Sequence, residues 1–321
     1  MSTPFLAPVQ ESIKEVETLM RLQADSDHHP DLHAALEHLL VAGGKRVRPA
    51  VVFLAGNLLD APHEKLVILG AAVEMLHTAT LVHDDLIDGA LLRRGMPTLN
   101  ARWTPAATVL TGDFLFGRAA KLAAATDYLP LMKLFAETLT IIVNGEITQM
   151  FAAKGLIDRK NYYTRIYAKT ASLFEMSALA AAMLGTEDEL LRQSLKMYGY
   201  EIGVAFQIMD DILDYTGEQA TVGKPVGSDL RNGLVTLPAI YYAENNPDDP
   251  EVKLLLEGGW VNNERMETLI SAIQKSDAIA HSIAEAAGHV KNAVSAIQSF
   301  SGRQEYDSLI SLAKYIVERN Y

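Results

Sequence analysis

Residues 82–95 read VHDDLIDGALLRRG. Asp84, Asp85 and Asp88 lie in a run that is otherwise mostly apolar and is closed by Arg93 and Arg94. Apolar runs do not bury carboxylates cheaply, because an uncompensated buried charge costs several kcal/mol or more. On a helix Asp84 and Asp88 share a face and Asp85 flanks them, so three like charges crowd one another. The same spacing recurs as Asp210, Asp211 and Asp214 in QIMDDILDYT. A hard cation relieves such crowding: Mg²⁺ prefers carboxylate oxygens and keeps positions open for water and substrate phosphates. Two triplets on opposing helices therefore predict several Mg²⁺ ions with a diphosphate between them. A solvated acidic helix end is the plain alternative for a single triplet; two copies, each in apolar surroundings, speak against it.

The basic residues fit the same chemistry. GGKRVRP at 43–49 supplies Lys45 and Arg48, Arg93 and Arg94 follow the first triplet, Lys169 sits in AKTAS, and Lys224 sits in VGKPVGSD. Arginine forks and lysine point charges bind phosphate. Taken singly most of these are ordinary surface charges; as a set flanking two acid triplets they read as diphosphate clamps.

The elements that position these groups are helices. In LHAALEHLLVA, Leu32, Leu36, Leu39 and Leu40 recur at three- and four-residue intervals, and neither β-alternation nor an Asn-Gly hairpin is evident. The pattern predicts helices at roughly 8–24, 31–42, 49–60, 64–89, 105–125, 128–153, 159–184, 187–216, 234–245, 249–257, 262–273, 275–299 and 303–319. Breaks fall at Gly43, Gly95, Gly155, Gly185, Gly217 and the Asn246–Pro250 stretch. No Pro- or Ser/Gly-rich linker divides the 321 residues, so one all-α domain over 1–321 is the simplest account. Hydrophobic residues make up 49% of the chain, enough for a sizeable core, and the net charge of −12 argues against a nucleic-acid binder with a basic face. The absence of cysteine excludes disulfides and thiolate metal sites. No basic leader precedes a long apolar stretch, and no stretch approaches the roughly 20 apolar residues of a membrane span. The expectation is a soluble, cytoplasmic protein without membrane insertion.

GGKRVRP, DDLID followed by RRG, AKTA, FQIMDDILD and GKPVGSDL…TLP, in that order over roughly residues 40–240, resemble the signatures of the trans-isoprenyl diphosphate synthases, the polyprenyl synthetases. Each motif is weak alone, and five in order are specific. The resemblance implies a single large bundle of long helices around a deep central cavity, a homodimer, and three Mg²⁺ per active site. It implies that Asp84, Asp85, Asp88, Asp210 and Asp211 hold Mg²⁺ bridged to an allylic diphosphate, with Asp214 acting through water or hydrogen bonds. Arg93, Lys169 and Lys224 would bind that diphosphate. Lys45, Arg48, His77 and Arg94 would bind isopentenyl diphosphate, while Thr170 and Gln207 would face the reacting centre. His77 lies two turns before Asp84, on the same helix face; without the resemblance it reads as a satisfied core histidine. The chain departs from the pattern at Leu234, where many relatives carry lysine, so a contact to the allylic diphosphate is missing there unless Arg231 supplies charge nearby.

The implied reaction is a head-to-tail condensation that needs no protein nucleophile. Ala79 and Thr80, about one turn before Asp84, are small where short-chain producers of the family carry bulky aromatics. One turn is about 5.4 Å, on the order of one isoprene unit. The expected product is therefore long, thirty carbons or more, a quinone side-chain precursor. A geranylgeranyl or farnesylgeranyl synthase is the near alternative. A terpene cyclase is disfavoured by the isopentenyl diphosphate motifs, and a regulatory subunit by the two intact acid clusters.

Overall fold

The protein is described here from a computed structural model that covers residues 4–23, 29–41, 43–151, 157–217, 225–256 and 263–318. Three- and four-residue apolar spacing becomes helix along most of this length. After a 3₁₀ turn, Pro4–Val9, the helices are α1 Gln10–Arg21, α2 Pro30–Val41, α3 Val47–Asn57, α4 His63–Ile87, α5 Leu99–Arg102, α6 Pro105–Ala124 and α7 Leu129–Phe151. They continue with α8 Arg159–Ile166, α9 Ser172–Gly185, α10 Glu189–Thr216, α11 Ser228–Arg231, α12 Leu237–Asn245, α13 Pro250–Leu256, α14 Asn263–Lys275, α15 Ala278–Ala296 and α16 Gln304–Glu318.

The residues group into two compact units. The first comprises 1–138, 173–199 and 296–312. Its centre is α4, whose Leu66, Leu69, Ala72, Met75, Leu76 and Ala79 have no exposed surface. Helices α1, α3 and α6 pack around it, and α3 is itself buried from Ala50 to Ala55. Gly56 makes that approach possible, since a Cβ there would overlap the Leu66 side chain. Thr104 caps α6 by accepting from the Ala107 amide at 3.2 Å, and Pro105 occupies the first turn, where a missing N–H costs nothing. The second unit comprises 139–172, 200–295 and 313–321. Ile202, Val204, Ala205, Ile208 and Ile212 of α10 are buried in it, as are Ile273 of α14 and Ala286 of α15, and Gln274 of α14 donates to the Tyr215 carbonyl at 2.7 Å.

Three features depart from the sequence reading. The helix expected over 159–184 is interrupted by a π-helical turn, Tyr167–Ala171. A small antiparallel ribbon pairs Leu92–Arg93 (β1) with Met96–Pro97 (β2), where no strand pair was expected. Its two turn residues, Arg94 and Gly95, have φ of 53° and 75°, the positive values that tight hairpin turns require; the pair is Arg-Gly rather than Asn-Gly and the strands are too short to show alternation. Finally, α4 is long and apolar enough to span a bilayer, with mean hydropathy 1.5 over its most apolar stretch, although 67% of that stretch is buried in the fold. Glu74 and His77 interrupt the apolar run from within, so no uninterrupted apolar stretch of that length stands in the sequence.

Candidate active site

In the first unit α4 carries Asp84 and Asp85 in its last turn, and Asp88 caps it, its amide donating to the Asp84 carbonyl at 2.8 Å. Asp85 is 6% exposed. The Arg93 guanidinium offsets its charge: Nε donates to both carboxylate oxygens at 2.8 and 3.0 Å, and Nη2 lies 2.8 Å from Oδ1. Asp84 is partly exposed and Asp88 is exposed. The ribbon places Arg94 next to Arg93 and turns it toward the 43–48 segment, where its Nη1 donates to the Gly43 carbonyl.

That segment is arranged by one left-handed residue. Arg46 has φ of 48°, a strained conformation for a side chain with a Cβ. It directs the guanidinium inward, to Glu17 at 2.9 Å and Glu74 at 2.7 Å. Lys45 on one side of it is exposed and Arg48 on the other is half-buried, its guanidinium 4.6 Å from the Phe174 ring centroid. His77 lies among these cations. Burial, then Arg48, Arg94, Arg93 and Arg46 in that order, hold its imidazole well below the usual histidine range. The ring is therefore neutral near pH 7 and can accept or donate without adding charge. Two residues further along α4, Ala79 is fully buried, and Thr80 is half-buried with its hydroxyl donating to the His77 carbonyl at 2.8 Å.

In the second unit the last turns of α10 carry Gln207, Asp210, Asp211 and Asp214. The π turn exposes Lys169, whose Nζ lies 3.6 Å from Glu146 of α7, and buries Thr170. A hydrogen-bond chain follows: the Thr170 hydroxyl donates to Gln207 Oε1 at 2.5 Å, and Gln207 Nε2 donates to Asp211 Oδ1 at 2.8 Å. The Tyr162 hydroxyl of α8 donates to Asp211 Oδ2 at 2.7 Å. Asp211 is 3% exposed. Burial, with a contribution from Asp229, pushes its carboxyl up to about 7 against the two hydrogen bonds that favour the anion. Asp210, beside it, is partly exposed.

Asp214 is engaged differently. It accepts from the Ser228 amide at 3.1 Å, the Ser228 hydroxyl at 2.9 Å and the Asp229 amide at 3.1 Å, so it anchors the GSD of the VGKPVGSD motif. The hydrogen-bonding role expected of it is thus taken by protein groups. Lys224 of the same motif lies outside the described residues. Arg231 does not make good the lysine replaced by Leu234: its guanidinium is committed to the Val226 carbonyl at 3.0 Å and to Glu267 at 2.6 Å.

The first unit therefore brings Arg48, His77, Arg93, Arg94, Asp84 and Asp85 together, and the second brings Thr170, Gln207 and Asp211 together. Sequence reasoning missed Arg46, Glu74 and Tyr162. The Arg46–Glu74 pair carries no local signal, and Tyr162 reads as a core aromatic. The donor set suits a hard divalent ion, being made of carboxylate oxygens alone. Among the described residues no three acids or histidines converge into a closed cage.

The polyprenyl synthetase family model matches residues 29–273. Heptaprenyl diphosphate synthase component 2 of Bacillus subtilis strain 168 is 34% identical over 98% of this chain and 89% of its own length. Octaprenyl diphosphate synthase of Haemophilus influenzae is 34% identical over 88% and 87%. Among solved structures, a polyprenyl synthase from Caulobacter crescentus CB15 complexed with calcium and isoprenyl diphosphate superposes with a TM-score of 0.91 at 32% identity, covering 99% of this chain and 98% of that one. With the motifs in order, the helices of the fold in place and the likeness running almost end to end, this chain belongs to the polyprenyl synthetase family.

Proposed function

We propose that this trans-prenyltransferase condenses isopentenyl diphosphate with an allylic diphosphate, head to tail (1′-4), to give an all-trans polyprenyl diphosphate of thirty carbons or more. The observation that carries the reading is the gathering of Arg48, Arg93 and Arg94 around a neutral His77, on the helix face that ends in Asp84 and Asp88. Arg48, His77 and Arg94, with Lys45, bind the isopentenyl diphosphate. Arg93, Lys169 and Lys224 bind the allylic diphosphate together with three Mg²⁺. Asp84, Asp88 and Asp210, the more exposed carboxylates, are the direct ligands; Asp85, buried and bonded at both oxygens, is the resting partner of Arg93 until substrate arrives, and Asp211, bonded at both oxygens as well, holds Gln207 in place. This narrows the five ligands of the sequence reading to three. When bound, Mg²⁺ neutralises charge that develops on the departing diphosphate.

Thr170 and Gln207 orient the allylic carbon. The isopentenyl double bond attacks that carbon, the C–O bond to diphosphate breaks, and a proton passes to the diphosphate that leaves. The small Ala79 and Thr80 leave room for the growing chain, and the hepta- and octaprenyl names of the relatives support a long product. We read the chain as one such domain, cytoplasmic, without membrane insertion or nucleic-acid partners. Val143, Ile147, Met150 and Phe151 form an exposed apolar stripe on α7, which supports a homodimer. The relative named as a component supports a second reading, assembly with a different subunit.

Incubation with both substrates and Mg²⁺, followed by chromatography of the products, tests the reading. Elongation to thirty carbons or more is expected, and a product that stops at fifteen or a cyclised hydrocarbon would overturn it.

A further inference from the structure

Arg93 and Arg94 sit on a ribbon whose strands have two residues each, far too little to hold its own shape. Two of its restraints run through the working side chains themselves, Arg93 to Asp85 and Arg94 to the Gly43 carbonyl. Those are the contacts a diphosphate would displace. Thr98 holds the base of the ribbon, its hydroxyl donating to the Ala90 carbonyl at 2.7 Å and its amide to the Leu91 carbonyl at 3.0 Å. One further restraint comes from a separate element. His38 of α2 places Nε2 2.7 Å from the Pro97 carbonyl, and its Nδ1 lies 3.1 Å from Arg102 Nη1. A carbonyl accepts only and a guanidinium donates only. Nε2 is therefore the donor to Pro97 and Nδ1 the acceptor from Arg102. Pro97 is the register partner of Leu92, and Met96 that of Arg93, so a grip on Pro97 is a grip on the strand beside Arg93. His38, Asp85, Arg93 and Pro97 also line one cavity of about 30 Å³, which brings this histidine to the edge of the site without giving it a substrate contact.

We propose that His38 is a positioning residue, one that keeps the ribbon in place when Arg93 and Arg94 exchange their resting partners for diphosphates. The proposal rests on the reading of those arginines as diphosphate ligands. It is specific about chemistry: the side chain must donate on one side and accept on the other, which glutamine can do and alanine cannot.

The test compares His38→Ala and His38→Gln with the wild type in hydrogen exchange without substrate and in steady-state elongation. In His38→Ala, amide exchange over residues 92–98 should quicken about tenfold, and KM for both diphosphates should rise about tenfold, the worth of one hydrogen bond. Its kcat should stay within about threefold, because the reacting atoms are not touched. His38→Gln should return exchange and KM to within about threefold of wild type. Should His38→Ala fold poorly by circular dichroism, Arg102→Met loosens the ring from its other side and should give a smaller rise in the same two quantities. Unchanged exchange over 92–98, raised exchange with unchanged KM, or a fall in kcat alone would each overturn the proposal. A wild type that elongates nothing would defeat the functional reading separately, since the exchange comparison needs no substrate and still decides whether His38 holds the ribbon.

Discussion

Asp88 and Asp214 hold the same place in two triplets of identical spacing, yet they live in different surroundings. Asp88 is the exposed C-terminal cap of α4. Asp214 lies within α10, which runs on to Thr216, and its two oxygens accept three hydrogen bonds from Ser228 and Asp229. The middle acids differ as well: Asp85 is matched by a cation, Arg93, whereas Asp211 is matched by the neutral Tyr162 and Gln207. Spacing puts carboxylates on a common face, and where the helix ends and what packs beside it decide what each carboxylate can do. An acid at a helix end can turn to a metal; the equivalent acid inside a longer helix is used to dock a loop.

The largest effect should fall on the acids the two triplets have in common. Asp84→Ala and Asp210→Ala should each lower turnover by several orders of magnitude with helix content intact by circular dichroism, because in the proposed function each removes a ligand of an ion that stabilises the leaving group. Near-normal turnover by either folded variant would break the comparison at its first position. Next come the middle acids. A hydrogen bond to a charged partner is worth more than one to a neutral partner, and Arg93 is also a proposed diphosphate ligand, so Arg93→Gln should cost about a hundredfold in kcat/KM, and Tyr162→Phe about tenfold. Equal losses would show that the cation contributes no more than the neutral support, and would count against Arg93 as a diphosphate ligand.

A smaller effect on rate, but a visible one on product, is expected from Ala79→Phe. Early condensations should persist while the product shortens toward fifteen or twenty carbons. Overpacking at this buried position costs about 1–3 kcal/mol, so thermal stability should be measured alongside. An unchanged product from a folded variant would show that this face of α4 does not line the path of the growing chain. The smallest effect concerns His77. Its folded-state pKa lies below its unfolded value near 6.5, so the unfolded chain takes up the proton first. Stability should therefore be fully present above that pH and be lost as pH falls through it. His77→Asn should flatten this part of the pH dependence in urea unfolding, and an identical slope would contradict it.

The helices were legible because apolar spacing at three and four residues is local, and twelve of the thirteen predicted segments begin and end within a few residues of observed helices. The exception, 159–184, contains the π turn. One extra residue in a turn leaves the apolar pattern nearly unchanged, yet it sets Lys169 and Thr170 on opposite sides of burial. The ribbon at 92–97 was hidden for a different reason. Its strands are too short for alternation, and an arginine occupies the left-handed turn position where asparagine or glycine would signal one. In the candidate site, the acids and the arginines gathered near them stood in the sequence as spacing and motif order. Their partners could not: Arg46 with Glu74, Asp211 with Tyr162 and His38 with Pro97 are separated by 28, 49 and 59 positions, and nothing in the chain between them announces the meeting.

The claim that two identical spacings serve different ends is tested most directly by the Mg²⁺ dependence of elongation in Asp88→Asn and Asp214→Asn. The account predicts that Asp88→Asn needs about tenfold more Mg²⁺ for half-maximal rate while keeping wild-type stability in urea. Asp214→Asn should instead keep the wild-type Mg²⁺ midpoint and lose about 1–2 kcal/mol of stability with its docked loop. Equal shifts of the Mg²⁺ midpoint in the two variants, at equal stability, would contradict it.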